Sequence, residues 1–292
     1  MIDFSSCRID PYRAYGGGNG GKICILYQGE RYMMKLPPKK RTNFYTNACI
    51  SEYLACHIYA AAGFDVQETL YGSYRINGRE KEAVACKDFV PSGYQLLEFS
   101  KIKNGCLSCS SENSNGYDTE LVTILEAIDS QQLIEPREVR KFFWDMFIMD
   151  AYLGNFDRHN GNWGVLVNPD QREARIAPVY DCGSCLYPQL TESGMENVLC
   201  DSAEIENRIY VFPTSSIKEN DKKINYFEYI ASNRNAECTE ALFRVLPRIN
   251  ERRVEDMISS CSFLSDTKKR FYRMMLSQRK KKILDYAREK VG

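Results

Sequence analysis

The spacing of apolar and polar residues changes along this chain, and the change divides it into two parts. Up to about residue 90 the pattern is short and strand-like. Lys22-Ile23-Cys24-Ile25-Leu26-Tyr27 and Arg31-Tyr32-Met33-Met34-Lys35-Leu36 are β-type runs joined at Gln28-Gly29-Glu30, which predicts a hairpin. Pro37 and Pro38 stop the second run, because proline supplies no ladder donor. From residue 51 to about 62, Leu54, Ile58 and Ala61 recur at helical spacing, and Gly63 stands where a helix would end. Glu52 shares a second stripe with Ala55, Cys56 and Tyr59. A further strand is predicted over 82–86, running into Lys87-Asp88-Phe89-Val90-Pro91-Ser92-Gly93, where a lobe boundary is placed.

Beyond that boundary the period becomes helical. Residues 101–117 are rich in Ser, Asn and Gly and carry no period, so a surface loop is expected there. Helices are predicted over about 118–128 and 136–153. The second starts with Pro136 at a favoured first position and sets Phe143, Met146, Phe147 and Asp150 on one stripe. Residues 205–213 fit either element type, 215–225 read as a polar loop, and 226–291 read as helices broken near Pro247 and over 261–266. Strands followed by helices predict an α+β fold with segregated lobes: a small strand-rich N-lobe over 1–90 and a larger helical C-lobe over 91–292.

Composition narrows the functional class. With 43% hydrophobic and 27% charged residues, the 292-residue chain lies far from disordered composition. Its 39 basic residues balance 39 acidic ones, so no global field draws it to nucleic acid or membrane, and a dedicated DNA-binding role is disfavoured. The first residues show neither a basic leader nor an apolar core, and no apolar run reaches bilayer length. A cytoplasmic protein without an integral membrane part is therefore expected, with delivery into a host cell left open. Twelve cysteines are scattered through helix-like and strand-like segments, where reduced thiols act as small buried hydrophobes. The pairs Cys106-Leu107-Ser108-Cys109 and Cys182-Gly183-Ser184-Cys185 are too far apart for the usual spacing of a structural zinc site.

Four segments carry candidate chemistry. The run Gly16-Gly17-Gly18-Asn19-Gly20-Gly21-Lys22 precedes a strand; its glycines would let backbone N–H groups approach phosphates, although a flexible linker reads equally well. Lys35 lies on the next strand, and Glu52 on the first helix can supply an ion pair to it. Asp157 and Asn162 are five positions apart in a loop that follows the packed helix. Asp157 could take or orient a hydroxyl proton there, and Asn162 could bind Mg²⁺. Asp181 leaves a strand predicted over 174–180, with Gly183 two positions later, in the D-x-G manner that presents a carboxylate to Mg²⁺. His159 is expected to hold its loop, His57 to pack, and Asp150 to pair with Arg158 or a backbone amide.

These residues resemble the HipA-like serine/threonine protein kinases, which have a divergent two-lobed kinase fold. Leu153-Gly154-Asn155-Phe156-Asp157-Arg158-His159-Asn160-Gly161-Asn162 is similar to the family's I-G-N-x-D-x-H-x-x-N signature, and Pro178-Val179-Tyr180-Asp181 is similar to its P-x-Y-D. The likeness extends over about residues 15–188. It implies ATP and Mg²⁺ as cofactors and a protein substrate with Ser or Thr. It also implies Asp157 as catalytic aspartate, Lys35 on the ATP phosphates, Glu52 positioning Lys35, Asn162 and Asp181 on the metal, and a hinge beside adenine at Lys87, Phe89 and Val90. The glycine run, with Gly16, Gly17, Gly18, Gly20, Gly21 and Lys22, would cover the phosphates.

Two departures from the family pattern stand out. Only Met1 to Ala14 precedes the glycine run, which speaks against an antitoxin complex of the kind longer members form. Tyr12-Arg13-Ala14-Tyr15 also offers no serine or threonine for the inhibitory autophosphorylation seen in some members. Two other readings compete. One is a phosphoinositide kinase, whose anionic lipid would meet the basic residues between Lys268 and Lys282; the other is a catalytically silent binding module.

Overall fold

The structure is a computed structural model that describes residues 1–13, 15, 22–37, 47–106 and 118–291. Two compact units emerge. One comprises Met1–Phe89, Val179–Asp201 and Arg252–Arg273; the other comprises Val90–Pro178, Ser202–Glu251 and Met274–Gly292.

The first unit is built on a six-stranded sheet. Its strands are β1 (Ile2–Asp3), β2 (Arg8–Ile9), β3 (Lys22–Tyr27), β4 (Glu30–Lys35), β5 (Thr69–Ile76) and β6 (Arg79–Lys87), with helix α1 (Ala48–Ala61) between β4 and β5. The strand order is β1-β5-β6-β4-β3-β2, antiparallel except where β1 runs parallel to β5. The predicted hairpin is β3–β4. Tyr27 pairs with Glu30, and Gln28 (φ 50°) and Gly29 (φ 83°) form the two-residue turn that suits strand twist. A second hairpin, β5–β6, turns at Asn77 and Gly78 (φ 51° and 75°). The sequence reading missed β5 although an Asn-Gly pair is a strong hairpin signal.

Alternation along β4 sorts its side chains. Tyr32 and Met34 are buried in a cluster with Phe4, Ile25, Ala83 and Ala85, so Met33 and Lys35 face the other way. Helix α1 packs on β5 and β6. It buries Leu54 and Ile58 as predicted, together with Glu52. Gly63 (φ 76°) follows its last turn as the expected stop.

In the second unit, β7 (Gln95–Glu98) leads into α2 (Phe99–Cys106), followed by α3 (Leu121–Ser130), α4 (Pro136–Leu153), β8 (Gly164–Asn168) and β9 (Glu173–Ile176). The three strands form one antiparallel sheet in the order β7-β8-β9. Two expectations are corrected here. Residues 101–106 belong to a helix, because Phe99, Ile102 and Lys103 are buried and packing overrides a composition that favours a loop; residues 107–117 lie outside the described residues. The strand predicted over 174–180 stops at Ile176, ahead of Pro178, and Val179 makes only an isolated bridge to Val66.

The rest of the chain is mainly helical: α5 (Glu192–Cys200), α6 (Ser202–Tyr210), α7 (Tyr226–Ala231), α8 (Ala236–Val245), α9 (Glu251–Ser260) and α10 (Asp266–Arg279), then a π-helical stretch Lys280–Asp285 and α11 (Tyr286–Glu289). The segment expected to be a polar loop over 215–225 contains the small hairpin Lys218–Glu219 with Lys222–Lys223. The segment over 205–213, whose pattern fits either element type, begins as helix, in α6. Among the described residues no helix is long and apolar enough to cross a membrane, and no disulfide joins the described cysteines.

Candidate active site

In the first unit the two strand faces and α1 bring three of the singled-out side chains together. Lys35, at the end of β4, extends its ammonium to Glu52 Oε2 at 2.8 Å and to Asp181 Oδ1 at 2.9 Å. Glu52 lies in the second turn of α1 and is 1% exposed. Its other oxygen accepts the Cys182 backbone N–H at 3.0 Å. One buried carboxylate therefore fixes both the lysine and the chain just past Asp181. The start of α1 is tied to the same stretch, since the Asn47 backbone N–H donates to Pro188 O (3.0 Å) and its side-chain amide to Leu190 O (2.6 Å).

Burial works against the Lys35 ammonium, but the Asp181 and Glu52 carboxylates outweigh it and hold the group well above the ordinary lysine value, so it is charged throughout the neutral range. Asp181 has φ 56°, a left-handed conformation that aspartate tolerates better than most residues. Such strained backbone is often found at functional sites.

The second unit holds the D-x-x-x-x-N loop. Helix α4 runs to Leu153, as predicted from its Pro136 start, and Gly154 ends it at φ 66°, ψ 41°. A Cβ on Gly154 would lie 3.0 Å from Pro213 Cγ. Asp150, in the last turn of α4, anchors the loop that leaves this helix. It accepts Arg158 Nε at 3.0 Å and the Asn155 side-chain amide at 2.8 Å, and its carbonyl accepts the Asn155 N–H at 2.9 Å. Both side chains of the Asp150–Arg158 pair are 2% exposed, which makes the pairing expected from sequence a buried one. Arg158 also donates to Asn162 O at 2.8 Å.

Asp157 itself is half-buried. The Asn155 side-chain oxygen accepts its N–H at 3.0 Å, and its carbonyl accepts the His159 N–H and the Asn162 side-chain amide, both at 2.8 Å. Asn162 is thus held through its amide nitrogen. His159 has the loop-holding role expected of it, with Nδ1 accepting the Gly161 N–H at 3.0 Å. Sequence reasoning did not find Tyr226, whose hydroxyl donates to Asn155 O at 2.6 Å. No local signal marks a residue that reaches the loop from so far along the chain.

The remaining candidates are more dispersed. Gly16, Gly17, Gly18, Gly20 and Gly21 lie outside the described residues. Lys22 stands directly across the hairpin from Lys35. Lys87 has both backbone groups in use, its N–H donating to Glu68 O (2.8 Å) and its carbonyl accepting the Gln67 side chain (2.9 Å). Phe89, in the first unit, packs against Tyr180 with ring centroids 5.6 Å apart. Val90 opens the second unit. Asp88, which the sequence reading passed over, accepts Arg13 Nε (2.9 Å) and the Tyr15 hydroxyl (3.1 Å). His57 is half-buried in α1, with Nδ1 2.8 Å from Tyr53 O.

A lysine held by a helix glutamate and a D-x-G aspartate in one unit, and a D-x-x-x-x-N loop behind a packed helix in the other, are the residue types on which phosphoryl transfer in protein kinases relies. The chain matches the family model of the HipA-like C-terminal domain over residues 16–262, and it belongs to that family. It is 47% identical to the serine/threonine-protein kinase CtkA of Helicobacter pylori over 290 residues, which cover 98% of this chain and 87% of that one. The crystal structure of a Helicobacter pylori proinflammatory kinase CtkA matches with a TM-score of 0.92 and 46% identity, covering 99% of this chain and 98% of that chain. HipA of Shewanella oneidensis MR-1, solved with HipB and operator DNA, matches with a TM-score of 0.61 over 96% of this chain and 67% of its own; at 14% identity that likeness is one of fold. The α+β kinase-like fold and the kinase activity of HipA type are established by these matches.

Proposed function

We propose that the protein transfers the γ-phosphoryl group of ATP to serine and threonine hydroxyls of protein substrates, itself included, with Mg²⁺ as the divalent ion. The observation that carries this reading is the Lys35 ammonium between Glu52 (2.8 Å) and Asp181 (2.9 Å). A cation in that setting is charged and oriented, as phosphate binding requires. The glycine run Gly16 to Gly21 would cover the phosphates, and the segment Lys87 to Val90 would border adenine. In that segment Phe89 contributes an aromatic ring, and the Lys87 backbone is already bonded.

The residues proposed to hold the metal fit Mg²⁺. Asp181 offers a carboxylate and Asn162 an amide oxygen, both hard donors. Mg²⁺ commonly takes one or two protein ligands and completes its shell from phosphates and water. When bound, it neutralises charge on the phosphate oxygens. Asp157 orients the acceptor hydroxyl and takes its proton, while the hydrogen bonds to its backbone keep the carboxylate in place.

The lipid-kinase reading is weakened by the state of the basic segment. Arg279 is 1% exposed and donates to Ala151 O (2.9 Å) and Arg208 O (2.8 Å). Lys280 is paired with Asp285 (2.9 Å) and Glu251 (3.3 Å). The run is therefore not one continuous solvated cationic surface.

Incubation with labelled ATP and Mg²⁺, with basic proteins and phosphoinositide vesicles as alternative acceptors, tests the proposal. Label on serine and threonine is expected, with phosphosites located by mass spectrometry. Asp157→Ala and Asp181→Ala are expected to lower transfer by roughly a hundredfold or more. Label on lipid alone would overturn the protein-kinase reading, and full activity in Asp181→Ala would overturn the metal assignment.

A further inference from the structure

Lys103, on α2, is 0% exposed. A buried ammonium is costly, and an apolar side chain of similar length would fill the same space without that cost. Among the described residues its charge is spent on one neighbour, Asp118. Nζ donates to the Asp118 carbonyl at 2.7 Å and to Asp118 Oδ2 at 3.1 Å.

Asp118 is held on its other sides as well. Oδ1 accepts the Glu120 N–H and Oδ2 accepts the Thr123 hydroxyl, both at 3.2 Å. Burial pushes its carboxyl up, but the hydrogen bond and charge of Lys103 outweigh this and keep it below the usual carboxylate range. The residue is ionised and its carbonyl is fixed in direction. That carbonyl also accepts the Asn160 side-chain amide at 2.7 Å.

Asn160 lies between Asp157 and Asn162 and is 1% exposed. Its own carbonyl accepts the Ser100 N–H at 2.9 Å, so α2 grips the middle of this loop directly from its first turn. A second grip runs from Lys103 through Asp118. We propose that Lys103 is a positioning residue for the catalytic loop: by clamping the Asp118 carbonyl it holds Asn160 and thereby sets the placement of Asp157 and Asn162. The inference rests on reading that loop as catalytic. Lys103 acts from inside the fold and touches no substrate.

The test compares the full-length wild type with Lys103→Met, Asn160→Ala and the double variant. Hydrogen exchange over residues 155–163 reads the clamp without requiring activity. Exchange there is expected to rise roughly tenfold or more in Lys103→Met, while α4 and the β3–β4 hairpin keep wild-type protection. In turnover, kcat is expected to fall roughly tenfold to a hundredfold with KM for ATP within about twofold of wild type. The double variant is expected to be no slower than the slower single variant, because both act through one chain of contacts. Unchanged loop exchange in Lys103→Met, or kcat losses that multiply in the double variant, would overturn the inference. If Lys103→Met does not fold, Asn160→Ala cuts the same link with the ammonium still paired, and it must reproduce the loop-confined rise in exchange. A wild type inactive on every acceptor would count against the kinase reading, and the exchange data would still decide the clamp.

Discussion

Glu52 serves two partners with two oxygens, Lys35 Nζ at 2.8 Å and Cys182 N–H at 3.0 Å. Glu52→Gln keeps the shape and removes the charge. Without that charge Lys35 retains Asp181 as its one counter-ion among the described residues, and the Cys182 amide loses a charged acceptor. We expect a loss of about 1–3 kcal/mol in stability, measured by urea unfolding, together with a rise in KM for ATP larger than the fall in kcat, since the lysine it orients is assigned to the nucleotide. A variant with unchanged KM would show that Lys35 needs no help from Glu52. The types of these residues were legible in the sequence: a strand lysine, a helix glutamate and a D-x-G aspartate. Their hydrogen-bond roles were not, because an N–H of Cys182 reaching Glu52 depends on a chain return of 130 residues.

At the scale of elements, α4 is the best-read part of the chain, and its end is the most exacting. Pro136 starts it and an apolar face fixes its length. Gly154 then ends it in a left-handed conformation, with Pro213 Cγ 3.0 Å from where a Cβ would lie. Gly154→Ala is expected to cost about 1–2 kcal/mol from the backbone alone. The contact with Pro213 adds to that, and the loop that begins at Asn155 would be displaced. Chemical denaturation and kcat measured on one preparation should fall together; an active and stable Gly154→Ala protein would mean that the loop does not depend on this stop. Two of the elements that escaped the sequence reading did so for different reasons. Strand β5 was marked by Asn77-Gly78, a local signal that went unused, whereas α2 has loop-like composition and is helical because Phe99 and Ile102 are buried. Only the second of these required tertiary information.

Across the whole molecule, several carboxylates stand below their ordinary range. Asp10 is lowered by its hydrogen bond to Arg31 and Asp129 by that to Arg140, Asp3 by Ser5, and Asp118 by Lys103 against the effect of burial. A carboxyl that is lowered in the folded state binds its proton more readily when unfolded. The stability it contributes is therefore fully present above roughly pH 4 and is lost as the pH falls through the depressed folded values. Urea midpoints are expected to hold between pH 7 and 5 and to decline steeply below roughly pH 4, with a smaller decline in Asp118→Asn. A flat profile down to pH 3 would contradict these pairings. By itself the sequence determined the residue types of the site, the order of strands before helices, the β3–β4 hairpin, α1 and α4, because each rests on local period, turn chemistry or motif spacing. Only the tertiary structure decided that Val179–Asp201 and Arg252–Arg273 return to the first unit, that Asp181 joins the expected pair of Lys35 and Glu52, and that Lys103 stands behind the Asp157 loop. Those outcomes depend on burial and on contacts between residues far apart in the chain, where an ammonium or an amide takes whichever partner the packing leaves within reach, and no local pattern records that choice.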